Sequence, residues 1–253
     1  MRPSLSKTAA AAMLCASLTC LNSCLNRNSK TVEPQQEIIE EPSFSPGDVI
    51  PQRWVEQRGA QSFFTISPIS DELFAIMYGK SYKEGCPVAR EDLRYITALH
   101  KDIEGRTLLG EMVLNKSVAA DVLEILQELY NASYPIEKMR LVDYYDADDA
   151  ASMADNNSSA FNFRPRSHQS AISKHALGEA VDINPLYNPF VRTTDSGATI
   201  VEPAQSRQYL DRSAQFPYKI EREDLCCSLF RAHGFYWGGS WASRTKDFQH
   251  FER

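Results

Sequence analysis

An α+β domain is the architecture this sequence predicts. Residues 118–131 place Val118, Val122, Ile125, Leu126 and Leu129 at helical spacing, the surest helix in the chain. Residues 111–115 and the stretch around Val181 and Ile183 have strand length and, in the second case, the alternation of a half-buried strand. With 43% hydrophobic residues in 253, the chain can bury one ordinary core and leave a tail over. Short strands of this kind suit a small antiparallel sheet with helices packed on one side.

Taken in order, residues 1–24 read as a targeting segment. Arg2 and Lys7 make a basic start, and residues 9–21 (AAAAMLCASLTCL) are an apolar run too short to span a bilayer as a mature helix. Leu21-Asn22-Ser23-Cys24 resembles a bacterial lipoprotein processing box, so Cys24 is expected to carry lipid; plain signal cleavage is the rival. Loss of residues 1–23 takes the formal charge from −6 to −8. Residues 25–52, rich in Asn, Glu, Gln, Pro and Ser, read as a flexible tether between a membrane anchor and the wall, or as a plain spacer.

Apolar content returns with Trp54, Phe63, Phe64 and Ile66. Helices are expected over 71–78, with Leu73, Phe74 and Met77 inward, and over 90–100, with Leu93, Ile96 and Leu99 on one face and His100 as its polar end. Residues 105–110 turn the chain, 111–115 form a strand, and Ser117 caps the helix that follows. Residues 136–145 read as a strand, and the Asn-rich 146–164 as a surface loop, its DADDA run a solvated turn. Residues 191–218 read as a long polar loop with about one helical turn, and 223–233 as a helix stopped by Gly234. His168 and His233 are expected to be a loop residue and a helix-end residue, not ligands.

The chemistry gathers at residues 173–182, Ser-Lys-His-Ala-Leu-Gly-Glu-Ala-Val-Asp. His175 before Asp182, with Gly178 freeing a turn between them, offers two hard ligands aimed at one point from a loop and a strand. Catalytic zinc takes three protein ligands and an open position. The C-terminal Asp247-Phe248-Gln249-His250-Phe251-Glu252 supplies His250 as the third ligand and Asp247 as general base. Residue chemistry alone also allows ordinary polar roles for each. Asp247 and His250 share one side only if the backbone bends between them, because a regular strand would point them oppositely.

Several ordered motifs extend this pattern. Residues 152–164 (SMADNNSSAFNFR), 183–189 (INPLYNP) and 233–252, with Trp237-Gly238-Gly239 inside the last, together resemble the M15 zinc D-alanyl-D-alanine carboxypeptidases, in the branch ending Asp-x-x-His-Phe-Glu. The likeness begins weakly near Gly85-Cys86-Pro87-Val88 and so spans about 85–253, within a domain expected over 53–253. The resemblance carries most of the α+β expectation, with its antiparallel sheet. It implies one Zn²⁺ held by His175, Asp182 and His250, and a peptidoglycan stem peptide as substrate. It also implies that Arg164 faces substrate and Ser173 binds it. Ser159, Tyr144 and Trp237 are the remaining candidates for the cleft, with Phe235, Trp241 and Phe248 as further wall residues. L-alanyl-D-glutamate endopeptidases and L,D-carboxypeptidases stand as alternatives, as do a metal-dependent amidase, an inactive wall-binding lipoprotein and a structural zinc domain.

The charge of −6, with no Lys/Arg stripe, argues against a general nucleic-acid binder. Cys86 can pair with Cys226 or Cys227 in an oxidising compartment, or all three can be buried apolar residues. No base partner marks any of them as a nucleophile. The expected location is therefore exported, lipid-anchored and facing the periplasm or outer wall space.

Overall fold

A computed structural model describes residues 41–164, 172–242 and 244–253. Contacts divide the chain into Met1–Glu41, of which only Glu41 is described, and Pro42–Arg253, which holds every element named below. The targeting segment, Cys24 and His168 lie outside the described residues.

The first layer follows α1 (Gln52–Arg58). It is the antiparallel sheet β1 (Thr65–Pro68), β2 (Leu93–Lys101) and β3 (Thr107–Asn115), in that order, with α2 (Asp71–Met77) between β1 and β2. Ser70 caps α2 by accepting from the Leu73 amide. The expected helix over 90–100 is a strand after a single 3₁₀ turn. Leu93, Ile96 and Leu99 do share a helical face, but β2 is the central strand and is covered on parts of both faces. Ile96, Ala98 and Leu99 enter the main core, and Leu93 a smaller cluster with Met77, Val88, Val113, Leu141 and Phe161. Burial on two sides erases the period of two that marks a half-exposed strand.

His100 is consequently a buried strand residue, its Nδ1 2.8 Å from the Ile136 carbonyl. Burial pushes its pKa down to about 4. The strand expected over 111–115 is real but begins earlier, because pairing runs from Lys101↔Thr107 to Leu93↔Asn115.

The predicted long helix is α3 (Ala119–Asn131). Val122, Ile125, Leu126 and Leu129 pack on Ile96, Ala98, Met112 and Leu114 in one core. Ser117 does not cap it. Val118 occupies the cap position without a side-chain bond, and the Ser117 amide donates to Asn115 Oδ1. The expected tether also ends early. The Gly47 and Ile50 amides donate to the Leu109 and Thr107 carbonyls, which zips residues 47–50 onto β3 and buries Ile50 to 2% exposure.

Residues 136–145 hold only the two-residue β4 (Lys138–Met139) before a 3₁₀ turn. The 146–164 stretch is not a surface loop. It contains α4 (Asp149–Ala154) and β5 (Asn157–Ser158), which pairs parallel with β4. Its asparagines are buried because their amides imitate a peptide unit. Asn157 accepts from the Arg140 amide and donates to the Arg140 carbonyl and to Ser152. Asn188 donates to the Asn184 and Tyr218 carbonyls and accepts from the Ile220 amide.

The second layer carries the site. It follows α5 (Lys174–Leu177) and orders β6 (Ala180–Asp182), β11 (His250–Glu252) and β9 (Tyr236–Trp237), all antiparallel. A third small sheet joins β10 (Thr245–Asp247), β7 (Phe190–Thr193) and β8 (Thr199–Glu202). The loop expected over 191–218 therefore contains a hairpin, β7 on β8, before a 3₁₀ segment. The last helix, α6 (Leu225–Ala232), is capped by Asp224 accepting from the Cys227 amide and ends at His233 and Gly234.

Phe230 of α6 stacks on Phe251 of β11 with centroids 4.2 Å apart and meets Phe235 edge-on at 5.3 Å. Cys226 and Cys227 sit in this core and Cys86 beside the smaller cluster, all free thiols, so no disulfide joins them. The α+β expectation holds, with its antiparallel strands divided among three small sheets.

Candidate metal centre

Strand alternation places the candidate ligands. On β6, Val181 and Ile183 point into the core and Asp182 to the opposite face. On β11, Phe251 enters the core, so His250 and Glu252 share the other face. The register pairs His250 directly with Asp182 and Phe251 with Val181, so core meets core and ligand meets ligand. His175 arrives from α5, which Gly178 ends in the left-handed conformation at φ 70°. A Cβ at Gly178 would lie 2.7 Å from the Asn115 amide nitrogen, which donates to the Gly178 carbonyl. Only glycine permits both the turn and this approach.

The three ligand atoms form a near-equilateral triangle. His175 Nε2 lies 3.0 Å from His250 Nδ1 and 3.2 Å from Asp182 Oδ1, and His250 Nδ1 lies 3.1 Å from Asp182 Oδ1. Tetrahedral zinc with bonds of about 2.0–2.1 Å spaces its ligand atoms by about 3.3–3.4 Å. A point at bonding distance from all three atoms lies about 1 Å off their plane, so the three fill three of the four tetrahedral positions. No other group of three or more such side chains among the described residues has ligand atoms this close together.

Outer contacts fix the ring orientations. His175 Nδ1 donates to the Ala160 carbonyl at 2.7 Å, which leaves Nε2 free as the ligand. His250 Nε2 meets Glu252 Oε2 at 3.2 Å, which leaves Nδ1. Burial pushes the Asp182 carboxyl up, but His175 and His250 more than reverse this and hold it well below the usual range. Burial lowers His250, yet Asp182 and Glu252 raise it to about 10. Two oriented imidazoles and one ionised carboxylate make a donor set that fits one divalent cation.

The bend required between Asp247 and His250 is present. The chain leaves β10 after Asp247, turns through Phe248 and Gln249, and enters β11 in a different sheet. Asp247 Oδ1 is enclosed and has no hydrogen-bond partner. Burial pushes its carboxyl up to about 7, with the charges of His250, Asp182 and His175 acting on it. Gly238 holds it there: a Cβ at Gly238 would come 2.6 Å from the Asp247 carbonyl oxygen and 2.8 Å from its Cβ.

Arg164 is half-exposed and pairs with the Asp149 carboxylate. Burial raises the Asp149 carboxyl and Arg164 lowers it, while the charges of Asp182 and His175 act on it too. Ser173 Oγ accepts from the His175 amide at 3.3 Å, the structural bond that competes with a substrate role. Ser159 exchanges both backbone hydrogen bonds with Asp182 and so braces a ligand strand.

Two aromatic candidates stand elsewhere. Trp237 is paired with Phe251 and shares its core face, its indole donating to the Phe248 carbonyl. Trp241 is the aromatic that meets His250, edge-on at 5.7 Å. Phe235 is core. Tyr144 is exposed with its ring over Arg140 at 4.3 Å, and that guanidinium is held by buried Glu111, so the ring contact of Tyr144 is with Arg140 and not the triad.

Sequence reasoning assigned no role to Glu252 or Asp149. Glu252 is legible as the residue two beyond His250 on the same strand face. Asp149 has no such signal, since it is one acid of the DADDA run.

Residues 166–253 match a family model described as D-alanyl-D-alanine carboxypeptidase. No curated protein and no solved structure matches the chain. The matched stretch contains all three triad residues and Asp247, whereas Asp149, Ser159 and Arg164 precede it. Match and triad together support a zinc metallopeptidase active site.

Proposed function

We propose that this chain hydrolyses a peptide bond in the stem peptide of peptidoglycan, as a D-alanyl-D-alanine carboxypeptidase. The observation that carries the reading is an oriented His–Asp–His triangle with no fourth described ligand in its group, whose charges act on a buried carboxylate that keeps an unpartnered oxygen. His175, Asp182 and His250 would hold a zinc ion, which when bound would supply Lewis acidity and lower the pKa of water. Asp247 takes the water proton as oxygen adds to the scissile carbonyl carbon. The carbon–nitrogen bond breaks and Asp247 passes that proton to the departing amine. Arg164, held by Asp149, presents a guanidinium to the developing oxyanion or to the terminal carboxylate of the substrate. Trp241 meets His250 edge-on and so contributes to its apolar surroundings.

A group of three such ligands among the described residues, with no fourth, speaks against a structural zinc site, which closes with a fourth protein ligand. The retained Asp247 speaks against a binder that has lost turnover. In the same reading residues 1–24 export the chain, Cys24 anchors it by lipid, and the segment up to the first paired residues spans toward the wall. Intact-mass measurement of the membrane fraction tests the anchor, and an unlipidated soluble product would remove it.

The activity is tested by incubating the protein with D,D, L,D and L-alanyl-D-glutamyl stem peptides, with and without zinc, and weighing the products. Zinc-dependent release of the terminal D-alanine is expected. Zinc-loaded protein that leaves every stem intact would overturn the proposal.

A further inference from the structure

A cavity of about 320 Å³ opens beside the turn that positions Asp247. Cys227 and Phe235, both buried, form its apolar floor, and Tyr236, 75% exposed, and Trp237 form its aromatic wall. Arg222 and Arg231 stand at its rim, both exposed. The Arg231 guanidinium donates to the Arg222 carbonyl at 3.3 Å, which draws the two together. Among the described residues neither guanidinium meets a carboxylate, although the chain as a whole is acidic and most of its other arginines are paired or stacked.

Two unpaired guanidinium forks over an apolar, aromatic floor recognise a carboxylate attached to a short apolar body. The volume is at the lower end for small-ligand sites. The cavity is also joined to the reaction centre through covalent structure. Trp237 and Ser240 line it, and between them Gly238 is packed against Asp247.

We infer that this cavity is a second binding subsite, which takes a side carboxylate of the stem peptide away from the scissile bond. It rests on the stem-peptide reading for the identity of the ligand, not for the carboxylate chemistry. In its simplest use it holds a long stem in register while the shorter terminal part lies at the metal centre. A contact held equally in ground state and transition state appears in KM and not in kcat, and that is the use proposed here.

The test uses the zinc-loaded chain and two probes: a stem pentapeptide with free side carboxylates, and the same peptide with those carboxylates amidated. In the wild type, amidation is expected to raise KM about ten-fold with kcat unchanged, as one charge-assisted contact is lost. In an Arg222→Gln/Arg231→Gln double variant, both peptides are expected to share the raised KM. Equal KM for the two peptides in the wild type, or undiminished discrimination in the double variant, would overturn the subsite.

Calorimetric binding of the same two peptides separates this proposal from the activity. Carboxylate-dependent binding that the double variant loses, without any hydrolysis, keeps the subsite and drops the peptidase reading. Hydrolysis without carboxylate dependence does the reverse.

Discussion

At the scale of single residues, the site separates holding a cation from moving a proton. His175, Asp182 and His250 are oriented by the Ala160 carbonyl, by each other and by Glu252, whereas the Asp247 carboxylate keeps one oxygen without a partner. Asp247→Asn is therefore expected to retain zinc and to lose turnover by about 10²–10⁴-fold, the usual worth of a general base. Metal analysis beside peptide kinetics checks this, and loss of zinc would contradict the role.

The same residue predicts a pH effect on the zinc-free protein. Its carboxyl is pushed up to about 7 in the fold, against about 3.9 unfolded. Between those values the native state holds a proton that the unfolded chain has released, so the Asp247 contribution to stability falls as pH rises. Thermal melts of zinc-free wild type against Asp247→Asn should converge near pH 4 and diverge in favour of the variant by pH 8. His250, raised to about 10 without a cation, predicts release of at least one proton per zinc bound at pH 7, readable by calorimetry in buffers of different ionisation heat.

Residue types and spacing made this layer largely legible. Two His and one Asp at those positions suggest a metal, and the need for a bend after Asp247 follows from strand alternation. Asp149 was not legible, because nothing in a run of acids shows which one folds toward the triad. Asp149→Asn is expected to raise KM while leaving zinc content unchanged, since it frees Arg164 and removes no ligand.

At the scale of elements, short strands with one core face and one site face do the positioning. Phe251 and Val181 anchor β11 and β6 from beneath while His250 and Asp182 meet above them. Gly238→Ala should push the Asp247 backbone aside and depress kcat with zinc retained, because the added Cβ would meet backbone and not a yielding side-chain tip. The same variant with unchanged kcat would show that the close approach does not matter to the base.

Element type was read well where one periodic face met one core, as in α3 and α6. It is hidden in β2, where two-sided burial imitates a helical stripe, and in residues 146–164, where polar composition conceals a buried segment. Asparagine explains the second case. Asn157 satisfies the Arg140 backbone from within that stretch, as Asn188 does for Tyr218 and Ile220 further along the chain, and truncating either to Ala is expected to cost about 1–3 kcal/mol through stranded partners. Chemical denaturation measures it.

At the scale of the whole molecule, the main core runs from α3 and the first sheet through Phe230 to the underside of the site sheet. Leu126→Ala, at the fully buried centre of α3, is expected to lose about 2–5 kcal/mol of stability and to lower zinc affinity only as far as it unfolds the chain. The architecture is legible in class but not in plan, because register and the division into several small sheets depend on contacts between residues far apart in sequence. Pairing of residues 47–50 with β3 shows the same limit, since their polar composition resembles a spacer and only the partner strand gives them a place.

Anomalous diffraction at the zinc edge, from a zinc-loaded crystal, tests the central claim most directly. It should show one strong peak about 2.0–2.2 Å from His175 Nε2, Asp182 Oδ1 and His250 Nδ1. A peak bound at His175 but more than about 5 Å from His250 Nδ1, far beyond a zinc–nitrogen bond, would contradict it.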